Sequence, residues 1–408
     1  MTQRGPSPAH RHRGGTTRPP GPSSAAAAAR PDVRSVSTTT RTGKDTMPNR
    51  RAALASLAGA VSLALTLSAC GGETSESSSE SGTIGIAMPT RASERWLTDG
   101  KSVVEDLEDK GYKTELLYGE DNPQTQVKQI EKLIKQGVDA LIIAAIDNKS
   151  LNGALEQAAA AEIPVISYDR LILGTRNVDY YVSFDNEQVG RLQARHIIEK
   201  LGLEDGKGPF NIELFAGSPD DNNTKFFFDG AMHLLQPYLD NKQLVVRSGQ
   251  TEMDKITTLR WDGPTAQKRM TQVLSQSYRS QRVDAVLSPY DGISIGVLTA
   301  LKAAGYGTAA KPLPIITGQD AELASVKSII AGDQSQTVFK DLRQLAGRAA
   351  NMADDILNGE TPELNNRRAY KNGVKAVPAY LLQPISVDKS NYEYVLAASD
   401  LYTEEELK

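Results

Sequence analysis

Short apolar runs alternate with amphipathic stretches along the chain from Thr83 onward. The runs "TIGIAM" (83–88), "VDALIIAA" (138–145) and "IPVISY" (163–168) are largely apolar on both faces, which is typical of strands buried in a parallel sheet. The stretches between them space their apolar residues at helical intervals, and several end in glycine. This alternation predicts an α/β fold in which helices cover parallel sheets.

The pattern restarts at "FNIELFAG" (210–217), and the two halves of the chain echo each other. "VDAVLSPYD" (283–291) matches "VDALIIAAID" (138–147), and "LPIITGQD" (313–320) matches "IPVISYDR" (163–170). Each of these strands ends in polar residues, and ligands of open α/β sheets bind beyond the carboxyl ends of the strands. The sequence therefore predicts two Rossmann-like lobes whose polar strand ends form the walls of a shared cleft.

The N-terminal segment has a different composition from the rest of the chain. Residues 1–46 are rich in Pro, Gly, Ser and Arg and have almost no large apolar side chain, so they cannot bury a core. We expect a disordered extension there. Translation from Met47 is favoured over translation from Met1, because an export signal normally lies at the very N-terminus.

Residues 47–69 read as such a signal, with basic arginines, an uncharged stretch and small residues before Cys70. The segment resembles a bacterial lipoprotein signal that ends in a lipobox, "LSAC", which implies cleavage before Cys70 and lipidation of its sulfur. A transmembrane anchor is the alternative, but the segment is slightly short, rich in alanine and ended by the lipobox. Residues 70–82 then predict a flexible polar tether.

Composition excludes several classes of function. The 408 residues are 39% hydrophobic and 24% charged, which is enough for two domains with cores. Of 46 Lys+Arg and 50 Asp+Glu, residues 70–408 keep 36 and 48, a net charge of −12 that disfavours nucleic acid as a partner. Cys70 is the only cysteine, and beyond it only His196 and His233 remain, both in helical text. We therefore expect no disulfide, no thiol catalysis and no bound metal.

Several motifs then follow one another in a recognisable order. They are "ERW" (94–96), "QIEKLIKQGVDALII" (129–143), "SYDR" (167–170), "SFDNEQVG" (183–190), "GSPDDNN" (217–223), "TGQDAE" (317–322), "TVFKD" (337–341) and "NGVKAVPAYLLQPISV" (372–387). Together they resemble the type I periplasmic-binding-protein-like receptors of bacterial sugar transporters, specifically the xylose-binding and multiple-monosaccharide-binding branch. The resemblance runs from about Gly85 to the C-terminus.

The resemblance implies two lobes joined by a three-strand hinge. The chain is expected to cross between the lobes near Phe184–Asn186, Thr337–Phe339 and Gln383–Ile385. The implied N-terminal lobe is 83–185 plus 339–383, and the implied C-terminal lobe is 186–338 plus 384–408.

The resemblance also implies a function. It implies an extracytoplasmic receptor that binds an aldose such as xylose, glucose, galactose or arabinose, without a cofactor. Such a receptor is expected to be a monomer, to deliver the sugar to the permease of an ABC importer, and to be held on the outer face of the cell membrane by lipid at Cys70. A ligand-presenting role beside a sensor kinase, or a nucleoside or furanose ligand, remains as an alternative.

A pyranose has two apolar faces and a rim of hydroxyls, so aromatic planes and charged or amide side chains suit it best. The two tryptophans, Trp96 and Trp261, fall one in each predicted lobe. A core position is the alternative for each of them, and the resemblance favours contact with the sugar.

Residues at the rim follow from the strand ends and from the resemblance, each with an alternative. Asp169 and Arg170 end a strand and are implied to bind hydroxyls, or else to form a hinge salt bridge. Arg95 is a contact or a solvated residue at a helix start. Asp320 is a contact or a helix cap. Lys340 lies where the family has a ligand-contacting lysine near the hinge, or is simply exposed.

The run "AGSPDDNN" (216–223) could be a metal loop, a helix cap or a grip on a ligand. A metal loop needs oxygen ligands that wrap around one point, which adjacent side chains do not supply. A cap at Asp221 or Asn222 explains one residue. The resemblance selects Asp221 and Asn223 as sugar contacts, with Asn222 weaker and Asp220 solvated. Asp221→Ala is then expected to abolish sugar binding with little change in the melting temperature of the empty protein.

Two further residues bear on specificity and on enzyme function. Tyr290 stands where the xylose-binding pattern has asparagine, so the bound sugar or its orientation is expected to differ. The run "GISIG" (292–296) matches a nucleophile elbow with Ser294 as the nucleophile. No histidine follows Ser294 to complete the expected order, so a serine hydrolase is a distant alternative and we expect no enzyme.

Overall fold

The computed structural model describes residues 82–397, 399 and 401–407. The predicted extension, the signal segment, Cys70 and the tether up to residue 81 lie outside the described residues. No helix of the described part is both long enough and apolar enough to cross a membrane.

The described residues form strands and helices that alternate along the chain. The strands are β1 (Thr83–Met88), β2 (Lys113–Tyr118), β3 (Ala140–Ile143), β4 (Val165–Tyr168), β5 (Tyr180–Phe184), β6 (Phe210–Leu214), β7 (Leu244–Val245), β8 (Ala285–Leu287), β9 (Ile315–Ile316), β10 (Thr337–Phe339), β11 (Ala379–Leu382) and β12 (Ile385–Val387). The helices are α1 (Glu94–Asp109), α2 (Pro123–Gln136), α3 (Asn152–Ala160), α4 (Asn186–Leu201), α5 (Asn223–Asp240), α6 (Met253–Ile256), α7 (Gly263–Ser277), α8 (Asp291–Ala303), α9 (Leu323–Ala331), α10 (Leu342–Leu357), α11 (Tyr392–Ala397) and α12 (Glu404–Leu407), with a 3-10 turn at Leu259–Trp261.

The first sheet has six strands in the order β11-β5-β4-β3-β1-β2, and every neighbouring pair is parallel. One face packs against α1 and α10, and the other packs against α2 and α3. Because both faces are covered, a strand such as β3 is buried at every position, which explains its unbroken apolar sequence. We call this sheet and its helices the N-terminal lobe.

The second sheet has four strands in the order β7-β6-β8-β9, again all parallel. Helices α4 and α5 cover one face, and α7 and α8 cover the other. We call this sheet, its helices and the antiparallel pair β10–β12 the C-terminal lobe. The predicted α/β fold with two parallel-sheet lobes is confirmed.

The chain passes between the two lobes three times. It leaves the first sheet after β5 and enters α4, where Asp185 caps the helix by accepting a hydrogen bond from the backbone N–H of Gln188 at 3.0 Å. It returns between β10 and α10, and it leaves again between β11 and β12. These three passages place the carboxyl ends of both sheets around one cleft.

Helices α4 and α5 approach each other so closely that only glycine fits at their contact. A Cβ atom at Gly190 would lie 1.9 Å from the carbonyl oxygen of Phe227, and one at Gly230 would lie 2.1 Å from that of Glu187. This contact fixes α5 against the helix that follows the first crossing. The N-terminus of α5, which carries Asn223, is thereby held at the cleft.

Candidate functional site

A cavity of about 460 Å³ lies between the carboxyl ends of the two sheets. Its walls come from the start of α1, the end of β4, the turn after β6, the 3-10 turn and the segments after β8 and β9. The lining residues are Thr90, Ala92, Ser93, Glu94, Arg95, Trp96, Asp121, Asp169, Arg170, Asp221, Asn223, Phe227, Arg260, Trp261, Asp262, Tyr290, Gln319, Asp320 and Glu322.

Arg95 is the centre of an ion-pair network at one side of the cavity. Its guanidinium pairs with Asp99 at 3.2 Å, with Asp169 at hydrogen-bond distance, and with Asp320 of the C-terminal lobe at 3.6 Å. Asp99 in turn accepts a hydrogen bond from the hydroxyl of Tyr168. A guanidinium has five N–H donors, so it can pair with several carboxylates at once. The three carboxylates hold Arg95 in one orientation, and Arg95 still lines the cavity.

Arg170 joins the two lobes on the opposite side of Asp169. Its Nε lies 2.9 Å from Oδ2 of Asp221 in the C-terminal lobe. The amide Nδ2 of Asn223 donates to the backbone carbonyl oxygen of Asp169 at 3.0 Å, and the backbone N–H of Asn223 donates to Asp221 at 2.9 Å. The predicted facing of "SYDR" and "GSPDDNN" across the cleft is therefore present, through direct side-chain contacts.

Asp320 and Lys340 form a second buried pair near the hinge. Nζ of Lys340 lies 2.9 Å from Oδ1 of Asp320, and the lysine is only 1% exposed. The alternative of an exposed lysine is therefore wrong. The capping alternative for Asp320 also fails, because the residue that precedes α9 is Glu322 and the carboxylate of Asp320 faces cations instead.

The two tryptophans line the cavity from opposite lobes. Trp96 is 5% exposed, with the guanidinium carbons of Arg95 and Arg170 at 4.6 and 5.0 Å from its ring centroid. Trp261 makes edge-to-face contacts with Phe227 and Tyr290, at centroid distances of 6.1 and 6.0 Å. Apolar planes are thus present on both sides of the cleft.

The position of Trp261 depends on Gly217. A Cβ atom at Gly217 would lie 2.0 Å from the indole ring, so only glycine lets the ring lie against this backbone. The turn before the ring is held by Ser218, whose Oγ accepts a hydrogen bond from the backbone N–H of Arg260 at 2.8 Å. The glycine that opens the motif "GSPDDNN" is therefore part of the cavity wall.

Tyr290 and Glu322 form a pair at the edge of the cavity. The hydroxyl of Tyr290 donates to Oε1 of Glu322 at 2.5 Å. Behind them, Asp291 accepts hydrogen bonds from the backbone N–H of Glu322 and from Thr337, both at 2.9 Å. Tyr290, which departs from the xylose-binding pattern, is thus hydrogen-bonded to an acidic neighbour, Glu322.

Burial and neighbouring charges shift the pKa values of these carboxyl groups in different directions. Burial acts to raise the pKa of Asp169, but the charges of Arg95, Lys340 and Arg170 outweigh it and the pKa falls below its usual value. Burial raises the pKa of Asp99 to about 6, against the opposing charge of Arg95. Burial also raises the pKa of Glu322 to about 7. Asp169 is therefore an ionised acceptor, whereas Glu322 changes its protonation near neutral pH.

Four buried polar atoms of the lining have no hydrogen-bond partner among the described residues: Nε1 of Trp261, Oε1 of Gln319, Nε of Arg170 and Oδ1 of Asp320. The last two belong to ion pairs with Asp221 and Lys340, whereas the atoms of Trp261 and Gln319 have neither kind of partner. Buried polar groups in proteins are nearly always paired, so an unpaired donor and an unpaired acceptor in one cavity indicate a ligand with hydroxyl groups.

The structure brings most of the residues predicted from the sequence into this one cavity. Nine of them line it: Arg95, Trp96, Asp169, Arg170, Asp221, Asn223, Trp261, Tyr290 and Asp320. Asn222 and Lys340 do not belong to the described lining, although Lys340 pairs with Asp320, which does line the cavity. Contact of these two residues with a sugar stays a prediction. Asp220, expected to be solvated, pairs with Arg260 at 2.7 Å.

Sequence reasoning missed three contributors. Asp99 lies one helical turn after Arg95, and an acidic residue at that spacing was a usable signal for the ion pair. Phe227 lies in α5 beside two other phenylalanines, and nothing in the local sequence distinguishes it as the one that lines the cavity. Glu322 ends the quoted motif "TGQDAE", but its pairing with Tyr290 joins residues 32 positions apart and no local pattern reveals it.

The other candidates for catalysis or metal binding, Ser294 and His196, are buried. Ser294 is fully buried in α8, and its Oγ lies 2.7 Å from Oγ of Ser288 and 2.7 Å from the carbonyl oxygen of Thr317. Burial lowers the pKa of His196 to about 4, which fits a neutral side chain. Within the described residues, no cluster of His, Cys, Asp and Glu has the arrangement of a metal site.

Two parallel-sheet lobes around a polar cleft with a tryptophan from each side define a solute receptor of the type I periplasmic binding protein fold. Comparison with known proteins agrees. The model of the periplasmic binding protein domain matches residues 84–361. The chain is 56% identical over 329 residues to the multiple sugar-binding periplasmic receptor ChvE of Rhizobium radiobacter, a match that covers 81% of this chain and 93% of that protein.

Two further relatives extend the comparison. The D-xylose-binding periplasmic protein of Escherichia coli is 36% identical over 324 residues, with 79% of this chain and 92% of that protein covered. The crystal structure of an ABC transporter solute binding protein from Clostridium phytofermentans, with bound β-D-glucose, is 43% identical with a TM-score of 0.77, and the match covers 80% of this chain and all of that chain. This chain belongs to the periplasmic binding protein family, in the branch of xylose-binding and multiple-sugar-binding receptors.

Proposed function

We propose that the protein is an extracytoplasmic receptor that captures a monosaccharide between its lobes and delivers it to an ABC importer. The ligand class is a neutral aldose in its pyranose form, such as glucose, galactose, arabinose or xylose. The observation that carries this proposal is the cavity itself, in which Trp96 and Trp261 supply aromatic planes from opposite lobes and charged side chains surround them.

The charged residues of the lining suit the hydroxyls of a sugar. Asp169, Asp221 and Asp320 accept hydrogen bonds, while Arg95 and Arg170 donate them, and each charge-assisted bond contributes roughly 1.5–3 kcal/mol. Trp261 and Gln319 add an unpaired donor and an unpaired acceptor. An aldose has several hydroxyls that both donate and accept, so it can supply partners to the donors and to the acceptors of this lining.

The contacts between the lobes support capture by closure. The Arg170–Asp221 pair, the Arg95–Asp320 pair and the hydrogen bond from Asn223 to Asp169 all join residues of different lobes. A sugar that contacts the same groups is bound better by the closed form than by an open one, so it shifts the population toward closure. The closed receptor is then the form that a permease recognises.

The remaining parts of the proposal rest on the sequence. The signal segment 47–69 and the lipobox support export and lipidation at Cys70, and the residues of the tether support a receptor held at the outer face of the membrane. The receptor works as a monomer, because one chain supplies both walls of the cleft.

Calorimetry against a panel of aldoses tests the function. The chain has two tryptophans and both line the cavity, so intrinsic fluorescence gives a second readout of the same event. We expect saturable one-to-one binding of at least one aldose together with a fluorescence change at the same midpoint. Absence of saturable binding of every aldose by the folded protein contradicts the proposal.

A further inference from the structure

A second cavity, of about 320 Å³, adjoins the first. The two cavities share Glu94, Arg95, Asp320 and Glu322. The other walls of the second cavity come from the outer face of α1, the N-terminus of α10 and the segment at 401–402. The two cavities therefore have a common wall of four charged residues. The volume of the second cavity lies in the range of small-molecule sites.

The contact between Arg95 and Asp320 belongs to this boundary and is the weakest of the ion pairs around it. Its length is 3.6 Å, against 3.2 Å for Arg95 with Asp99 and 2.9 Å for Lys340 with Asp320. When this contact opens, Arg95 keeps Asp99 and Asp169, and Asp320 keeps Lys340. Opening of this contact therefore leaves both Arg95 and Asp320 with a partner. The loss of a buried ion pair is costly when one of its charges is left unpaired, and that does not happen here.

The second cavity has an apolar side as well as a polar rim. Leu342, Leu401 and the ring of Tyr402 form the apolar side, and the hydroxyl of Tyr402 donates to the carbonyl oxygen of Ala321 at 3.0 Å, which fixes the ring. Thr98 and Ser102 of α1 add hydroxyls opposite. An apolar plane with hydroxyl-bearing side chains around it suits a sugar ring or a small uncharged group.

The charges of the second cavity select against anions. Its lining holds the carboxylates of Glu94, Glu105, Asp320, Glu322 and Asp341, against the cations Arg95, Lys101 and Arg343. A carboxylate or phosphate on the ligand is therefore repelled, and an uncharged substituent is not.

We propose that the protein binds neutral sugars that carry a substituent on one hydroxyl, with the sugar ring in the first cavity and the substituent in the second. The ligand class is then wider than free monosaccharides and includes glycosides and disaccharides of one particular linkage. This inference rests on the proposed function of the first cavity. It assigns the second cavity as the specificity site for the linkage.

Calorimetry with D-glucose, D-xylose and the disaccharides in which each is linked through successive hydroxyls tests the proposal. We expect at least one disaccharide to bind within about tenfold of its monosaccharide, because its second ring enters the second cavity. The sugar phosphates of the same monosaccharides are expected to bind more than about tenfold more weakly than the parent. If every disaccharide binds more than about tenfold more weakly than its monosaccharide, the proposal is wrong while the proposed function stands. If neither monosaccharide binds, the proposed function fails as well.

A variant whose side chain fills the second cavity distinguishes binding in the second cavity from binding in the first. Ser102→Trp places a large ring in the second cavity, two helical turns from Arg95, and we expect it to weaken the tolerated disaccharide at least about thirtyfold while the monosaccharide changes less than about threefold. Asp109→Trp, on an exposed position of the same helix, is the matched control and should change neither. Thr98→Phe replaces Ser102→Trp if the latter lowers the melting temperature strongly. A disaccharide that binds equally well to the folded, filled variant overturns the assignment.

Discussion

Arg170 and Asp221, which lie on opposite lobes, form a buried ion pair of 2.9 Å across the cleft. Each of them lines the cavity, so the pair is at once part of the contact between the lobes and part of the proposed sugar site. Breaking one partner of such a pair leaves the other buried without its counter-charge. Asp221→Ala would leave Arg170 without this partner, so the melting temperature of the empty protein is not expected to stay nearly unchanged in that variant. A substitution that keeps the shape of the side chain tests sugar binding better.

Asp221→Asn is that substitution, since it keeps the shape of the side chain and removes its charge. We expect sugar affinity to fall roughly 10- to 100-fold, the loss of about one charge-assisted hydrogen bond. Calorimetry measures the loss, and the melting temperature monitors the fold. Asp229→Asn is the control, because Asp229 pairs with Lys225 on the exposed side of α5 and neither residue lines the cavity. Equal losses in both variants would show that the effect is not specific to the cavity.

Gly217→Ala should displace Trp261. The added methyl group would lie 2.0 Å from the indole ring, so the ring must leave its present position against the backbone. We expect a smaller sugar-induced change in tryptophan fluorescence, since only Trp96 keeps its position, and at least tenfold weaker binding, about the contribution of one aromatic contact and its pairing. Gly153→Ala is the control: it lies in α3 with no atom within 4 Å of the new Cβ, and it should leave binding unchanged.

Phe226 should control closure from outside the cavity. Its ring, on α5 of the C-terminal lobe, lies 4.8 Å from that of Tyr370 and packs against the core of the N-terminal lobe. Phe226→Ala removes about 0.5–1.5 kcal/mol of aromatic contact from the closed form, so all sugars should bind about 3- to 10-fold more weakly with their order unchanged. Phe228→Ala is the control, because Phe228 packs within its own lobe and should lower the melting temperature instead. A change in the order of sugars contradicts a role in closure.

Glu322 should make the stability of the empty protein depend on pH. Burial raises its pKa from 4.5 to about 7, so the folded protein binds a proton that the unfolded chain has lost. Its contribution is therefore present below about pH 4.5 and is lost as the pH rises toward 7. The groups around it are Tyr290, Asp320, Glu94 and Arg95. Glu322→Gln stays neutral, so the melting temperature of the variant should rise relative to the wild type between pH 5 and pH 8 by a few degrees.

The comparison of variant with wild type is needed because other groups titrate in the same range. Asp99 acts in the same direction, since burial raises its pKa to about 6. His196 acts in the opposite direction, since burial lowers its pKa to about 4 and its contribution appears as the pH rises. The contributions of Asp99 and His196 are the same in the variant and in the wild type, so they cancel in the difference between the two melting temperatures. A difference in melting temperature that does not change with pH would show that Glu322 titrates at an ordinary pKa.

The sequence alone determined the elements and the side of the sheets on which the site lies. Strands such as β3 are buried on both faces, so their text is apolar without alternation, and helices such as α2 begin at a capping Asn122 and end at Gly137 in the left-handed region. These features depend on neighbours in sequence. Polar residues at the strand ends, together with the motifs around the two tryptophans, then located nine of the nineteen residues of the cavity lining before any tertiary contact was known.

The tertiary structure decided which charges meet, and this is what gives each residue its role. Arg95 meets Asp169, 74 positions away, and Tyr290 meets Glu322, 32 positions away. Lys340 could be read from the sequence as an exposed residue or as a sugar contact, and the structure excludes the first by burying it against Asp320. Such pairings depend on how two separate lobes come together around the cleft. Local propensity contains no information about that arrangement, because the energy of an ion pair depends on the distance and burial of its partners and not on their spacing along the chain.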